Sequence, residues 1–201
     1  MIQLYDVDWL SLVGSGSAFL LAFLMGGIPF GYLIVRLVRG TDIREQGSGN
    51  IGATNVWRLL GGGYGLLTFI LDGSKSLIPL VIVRRISGGS PDQIAFALSL
   101  TVAGHIFSPW LGWRGGKGFS SFILGLVALD IRLFLVAGAL WLAAFYLFRI
   151  AGLATLLAVM ATLLGSYFVL DTTGLVVLAI TCAMIIWAHR KNIEDLISPK
   201  G

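Results

Sequence analysis

Long apolar runs, broken by short clusters of glycine and charge, organise this chain. Seven stand out, at 17–38, 64–83, 94–111, 119–129, 131–148, 153–170 and 174–188. A helix needs about 20 mostly apolar residues to cross the hydrocarbon core of a bilayer. The pattern therefore predicts an all-α polytopic membrane protein with about seven transmembrane helices, and 1–201 as a single integral membrane domain. The fourth run is short, and Asp130 and Arg132 separate it from the fifth; one long tilted span across both would give six. Residues 1–16 read as an outside tail or a surface helix, without the basic start of a signal peptide. Pro29 and Pro79, with Gly26, Gly27 and Gly31, predict kinked or closely packed helices.

Composition agrees with the pattern. Of 201 residues, 57% are hydrophobic and 12% charged, against about 25% charged in an average soluble domain. A water-soluble sphere of this size has no room to hide so much apolar surface, and a disordered chain would be poor in it. Cys182 has no partner for a disulfide. Two histidines, one cysteine and scattered acids make no metal-ligand set, so no metal or other cofactor is expected. Ten basic residues fall on one side of the seven-span arrangement, among them Arg36, Arg58, Lys117, Arg149 and Arg190. Only Arg84, Arg85 and Arg132 fall on the other, and Lys75 lies within a span. The positive-inside rule makes the first side cytoplasmic, with the N-terminus outside and the C-terminus inside.

The chemistry should sit in the inside segments. The longest carries Gly47, Gly49 and Gly52, which let the backbone turn tightly so that its N–H groups form an anion-binding concavity. Ser48, Asn50, Thr54 and Asn55 add neutral donors. Arg58 adds a planar fork suited to phosphate. A short helix from Ile51 would point its positive end at the same ligand. The glycines also match the dinucleotide pattern G-x-G-x-x-G, but no soluble strand precedes them and Asp72 sits in a hydrophobic run beside Lys75. The second segment runs from Gly112 to Phe119. It fails the nucleotide P-loop pattern, since Leu111 and Gly118 stand where a glycine and a hydroxyl are required. Gly116 and Gly118 still leave the Lys117 ammonium reachable at a helix start. In the third segment a continuing helix would put His189 and Asn192 on one face. His189 and Glu194 have a His-x-x-x-x-acid spacing, but at a helix end. Asp72 and Lys75, three apart within a span, should pair or face the bundle interior. His105 reads as a helix–helix donor.

Taken in order, Gly47 to Asn55, Arg58, Leu71-Asp72 with Lys75, Gly104-His105, Gly115 to Gly118, His189-Arg190 and Asn192-Ile193 resemble the bacterial acyl-phosphate:glycerol-3-phosphate acyltransferase family. The resemblance runs roughly from Gly26 to Ile197. It implies seven transmembrane helices in the inner membrane and an active site at the cytoplasmic face. The implied reaction moves a fatty acyl group from acyl phosphate to the 1-hydroxyl of glycerol 3-phosphate, giving lysophosphatidate, with no metal, no acyl-CoA and no nucleic acid. Carried over by position, Ser48, Gly49, Asn50 and Lys117 would cradle the phosphate of acyl phosphate. Arg58, Lys117, His189 and Asn192 would hold glycerol 3-phosphate, with Gly52, Thr54, Asn55, Gly116 and Gly118 lining the site and membrane lipid around it. Two departures stand out. Gly152 occupies a position where the family commonly has serine, and the late glutamate of the family's tail is missing. The alternative reading of the same loops is the gate of a small-anion transporter or channel.

Overall fold

The computed structural model describes residues 9–86 and 88–197. Among these residues it contains ten α-helices: α1 (Trp9–Gly27), α2 (Phe30–Arg39), α3 (Ala53–Leu60), α4 (Gly62–Ile86), α5 (Pro91–Ile106), α6 (Phe119–Leu129), α7 (Ile131–Phe148), α8 (Ala151–Ser166), α9 (Thr172–Ala188) and α10 (Arg190–Ile197). Every apolar run read from the sequence is occupied by helix. Of the outside tail or surface helix expected at 1–16, residues 1–8 lie outside the described residues and 9–16 form the start of α1.

Local chemistry sets the helix boundaries. Pro29, which lacks an N–H and fixes its own φ, divides the first run into α1 and α2. Asp130 divides the fourth and fifth runs into two helices. It ends α6, and its carboxylate caps α7 by accepting from the Arg132 N–H at 2.7 Å while pairing with the Arg132 guanidinium. Asp171 caps α9 in the same way, accepting from the Gly174 N–H at 2.8 Å.

Four segments are long and apolar enough to cross a membrane: Gly16–Arg39, Gly62–Ile86, Pro91–Leu111 and Ile131–Phe148. Thr172–Ala188 joined to Arg190–Ile197 across a 57° bend makes a fifth. α6 and α8 are apolar but have only 11 and 16 residues. At 1.5 Å per residue, α6 rises only about half of a ~30 Å core. The reason is visible in the packing. The Ser121 hydroxyl near the start of α6 donates to the Asp72 carbonyl, well inside α4. The connection before α6 therefore dips into the bundle.

α5 is the central helix, packed against α1, α4, α6 and α9. It meets α1 through glycines, since a Cβ on Gly26 would overlap the Thr101 carbonyl and one on Gly104 the Phe23 carbonyl. Leu98, Phe122, Leu126, Leu178 and Ile185 fill the core. α7 is outermost, and its Leu135, Leu142 and Leu147 face away from the protein. Exposed apolar surface of this extent suits lipid rather than water. The connections group at two ends. One end gathers the segments around 40–61, 107–118, 149–150 and 189–197; the other gathers those around 88–90, 130 and 167–171.

Candidate active site

The first loop is shaped from within. Asp42 accepts from the Arg44 N–H at 2.9 Å and pairs with its guanidinium at 2.6 Å, which also lies over the Tyr32 ring. The neighbouring guanidinium holds the Asp42 carboxyl below its ordinary value. Gly47 and Gly49 take the left-handed conformation, at φ +59° and +70°, where a side chain would be strained. Gly52 does not; at φ −79° it is an ordinary helix N-cap.

Asn55 is the loop's internal clamp. It is 2% exposed. Its Oδ1 accepts from the Ser48 N–H at 3.1 Å, and its Nδ2 donates to the Gln46 carbonyl at 3.0 Å and the Asn50 carbonyl at 2.9 Å. Both amide hydrogens are thus spent within the loop. Asn55 shapes the cradle instead of lending donors to a ligand. Ser48 and Gly49 remain exposed, and Asn50 is half-buried. Thr54 and Arg58, four residues apart, project from the exposed face of α3.

The second loop is pinned into the bundle. The Ser108 hydroxyl donates to the Gly27 carbonyl at 2.6 Å, and the Trp110 indole to the Leu24 carbonyl at 3.0 Å. The Gly115 and Gly116 N–H groups donate to the Ile106 and His105 carbonyls at 3.0 and 2.9 Å. Gly118, left-handed at φ +82°, caps α6. Lys117, between two glycines at the helix start, donates to the Asn192 side-chain oxygen.

The third segment differs from a continuing helix. α9 ends at His189, and α10 leaves at 57°. The two residues read as one helix face stand on either side of that bend, yet both reach the Lys117 neighbourhood. His189 is 4% exposed, and its Nδ1 lies 2.8 Å from the Ile185 carbonyl. A carbonyl only accepts, so Nδ1 carries the hydrogen and Nε2 keeps its lone pair. Burial, with repulsion from Lys117, lowers the His189 pKa to about 4 against an opposing contribution from the Ile185 bond. Gly152, in the first turn of α8, lies directly against this segment. A Cβ there would stand 2.9 Å from Asn192 Nδ2 and 3.0 Å from its Cγ.

The segments converge at one end of the molecule. Gly49 and Arg44 of the first loop and Arg114 and Gly115 of the second line one polar cleft of about 400 Å³ with Asp42 and Glu45. Ile51 packs at Gly116. The Lys117 pKa is lowered, chiefly by burial and then by the Arg58 charge, with Lys191 adding to the effect and Asp195 opposing it. Arg58, Lys117, His189 and Asn192 thus form a half-buried, electropositive group next to a cradle shaped by glycine. Trp57, Trp110, Trp113 and Trp187, each more than half exposed, surround the same end. Tryptophan concentrates at the membrane–water boundary of membrane proteins.

Residues 17–199 match the family model described as glycerol-3-phosphate acyltransferase. The chain belongs to the glycerol-3-phosphate acyltransferase family. A relative of that name from Dinoroseobacter shibae is 41% identical over 94% of this chain and 90% of its own length. Another from Thermosynechococcus vestitus is 34% identical over 91% and 92%. The fold matches the crystal structure of PlsY (YgiH), an integral membrane glycerol 3-phosphate acyltransferase, in its glycerol 3-phosphate form. That match has a TM-score of 0.86 at 34% identity, covering 91% of this chain and 92% of that one. The lysophosphatidic acid form of the same protein matches at 0.82. Membership agrees with the motif order read from the sequence and with the all-α membrane architecture.

Proposed function

We propose that this protein transfers a fatty acyl group from acyl phosphate to the 1-hydroxyl of glycerol 3-phosphate, releasing inorganic phosphate and lysophosphatidate at the cytoplasmic face of a bacterial inner membrane. In this arrangement the chain crosses seven times, with its N-terminus outside and its C-terminus inside. The observation that carries the reading is the convergence of Arg58, Lys117, His189 and Asn192 beside the 47–52 loop. Two anionic reactants need such a site and repel one another without it.

Acyl phosphate is a mixed anhydride, so its phosphate leaves readily and the chain need supply no nucleophile. The Ser48–Asn50 turn and Lys117 hold that phosphate, while Arg58, Lys117, His189 and Asn192 hold glycerol 3-phosphate. The glycerol hydroxyl oxygen attacks the acyl carbon. The carbon–oxygen bond to phosphate breaks, and the hydroxyl proton passes to a phosphate oxygen. Cations fixed in advance offset the negative charge that builds on the carbonyl and leaving oxygens.

The environment of His189 bears on the identity of the base. With a pKa of about 4 it is neutral and a weak proton acceptor. A phosphate monoester, with a second pKa of about 6, is the stronger base. The substrate's own phosphate therefore takes the 1-hydroxyl proton, and the His189 Nε2 lone pair accepts from the glycerol 2-hydroxyl instead.

Lys117→Ala and Arg58→Ala test the site. Each should abolish turnover in membranes while the folded protein persists. Full activity in either variant would remove that residue from the reaction, and anion flux in liposomes without acyl transfer would favour a transporter.

A further inference from the structure

A second polar group lies beneath the Gly115–Lys117 loop, and the chemistry above does not use it. Asp72, Lys75, His105 and Ser121 are each at most 3% exposed. Lys75 pairs with Asp72 at 2.8 Å and donates to the Ile28 carbonyl at 2.6 Å. Ser121 donates its one hydrogen to the Asp72 carbonyl at 2.9 Å. Toward His105 Nδ1, 3.3 Å away, the same oxygen can only accept. Nδ1 therefore carries the hydrogen, with Asp72 Oδ1 at 3.9 Å. The other edge of the ring faces the loop. A Cβ on Gly116 would overlap His105 Nε2, and one on Gly115 would overlap the His105 carbonyl.

An ion pair buried in a membrane bundle is costly, and apolar residues often replace one without loss of stability. This group does something apolar residues would not. It ties the α1–α2 break, α4, α5 and α6 together at the depth where the second loop enters. The top of the group is a flat ring edge against a residue with no side chain.

We propose that His105 is a positioning residue: its imidazole, held from below by Ser121 and the Asp72–Lys75 pair, sets the height of the Gly115–Gly116 backbone and so places the Lys117 ammonium. His105 touches no reactant. It acts through Gly116, whose lack of a Cβ lets the loop rest on the ring. The inference builds on the acyltransferase reading and assigns that site a buried support.

The test is a double-mutant cycle on purified, lipid-reconstituted full-length protein, with palmitoyl phosphate and glycerol 3-phosphate as reactants. Gly116→Ala forces the loop off the ring and should lower kcat/KM about 100-fold, the cost of an ångström-scale misplacement. His105→Ala should raise KM for palmitoyl phosphate about tenfold, for loss of the support. In the double variant the new methyl enters the vacated space, and at least tenfold of the Gly116→Ala loss should return. A second pair separates positioning from simple structural bonding. His105→Gln reaches the Nε2 position and should keep KM near wild type. His105→Asn reaches only the Nδ1 position, keeps the Ser121 bond and should behave like His105→Ala. Strictly multiplicative losses in the cycle, or rescue by Asn in place of Gln, would overturn the inference. Wild-type protein that makes no lysophosphatidate would instead remove the reading on which it rests.

Discussion

Replacing Asn55 with alanine removes three hydrogen bonds from one loop and touches nothing in the helix bundle's main core. The lost bonds are those to the Ser48 N–H and to the Gln46 and Asn50 carbonyls. Each buried hydrogen bond contributes about 1 kcal/mol net, and a donor or acceptor left without a partner costs more. The loop conformation therefore loses about 2–4 kcal/mol. That energy does not appear as global unfolding, because the loop lies outside the helix layer. It appears as a shift from one ordered turn to many. If only the ordered turn binds phosphate, kcat/KM falls about 30- to 1000-fold. Asn55→Asp is the sharper variant. It keeps the acceptor for Ser48 but turns a donor into an oxygen facing two carbonyls, and should be at least as damaging as alanine. The assay is steady-state acyl transfer at varied palmitoyl phosphate, with a thermal melt beside it. The melt should move little and KM should rise. An Asn55→Ala enzyme with wild-type kcat/KM would refute the argument that this amide holds the cradle.

Three further outcomes follow from the same geometry. The lowered pKa of Lys117 means that its ammonium loses its proton at lower pH than a free lysine, so activity should fall on the alkaline side below the usual lysine range; Lys117→Arg, charged throughout, should abolish that limb in a pH–rate profile. Gly152→Val should crowd Asn192, whose Nδ2 lies 2.9 Å from the would-be Cβ, and raise KM for glycerol 3-phosphate about tenfold, as expected of a small displacement of a binding group. Asp130→Ala, at the far end, removes a helix cap worth about 1 kcal/mol and should lower the melting temperature by about 2–4 °C with acyl transfer unchanged.

The pH dependence also separates the two candidate bases. His189, at about 4, is neutral across the physiological range; its depressed value means that stability from this group is present above about 6.5 and is lost as pH falls toward 4. With substrate phosphate as base, kcat/KM should rise with pH through about 6; a rise centred near 4 would make His189 the base instead.

What the sequence revealed and what it concealed divide along a physical line. The helices were legible because membrane spans announce themselves by local composition. The break at Asp130 was legible because an acid followed by Ile131 and Arg132 interrupts the apolar run. The loops were legible because Gly47, Ser48, Gly49 and Asn50 stand together, as do Gly115 to Gly118. The clamp by Asn55 was hidden, since its three partners depend on a turn formed by two left-handed glycines. The bend at His189 was hidden because Ala188 to Asp195 contains no proline or glycine to mark it. The contact between His105 and Gly116 needs a loop folded back on its own helix, which no spacing rule encodes. The Asp72–Lys75 pair lies between these cases: three-residue spacing predicts the contact, and only the fold supplies its place beneath the second loop.

The central claim is that one cluster of cations and bent backbone brings acyl phosphate and glycerol 3-phosphate together. The most direct measurement is lysophosphatidate formation by the purified, lipid-reconstituted protein with palmitoyl phosphate and glycerol 3-phosphate, with palmitoyl-CoA as the control donor. Product should form with the phosphate donor, with one inorganic phosphate released per product, and no product should form with the thioester. Absence of product from the phosphate donor, or equal turnover with palmitoyl-CoA, would contradict that claim.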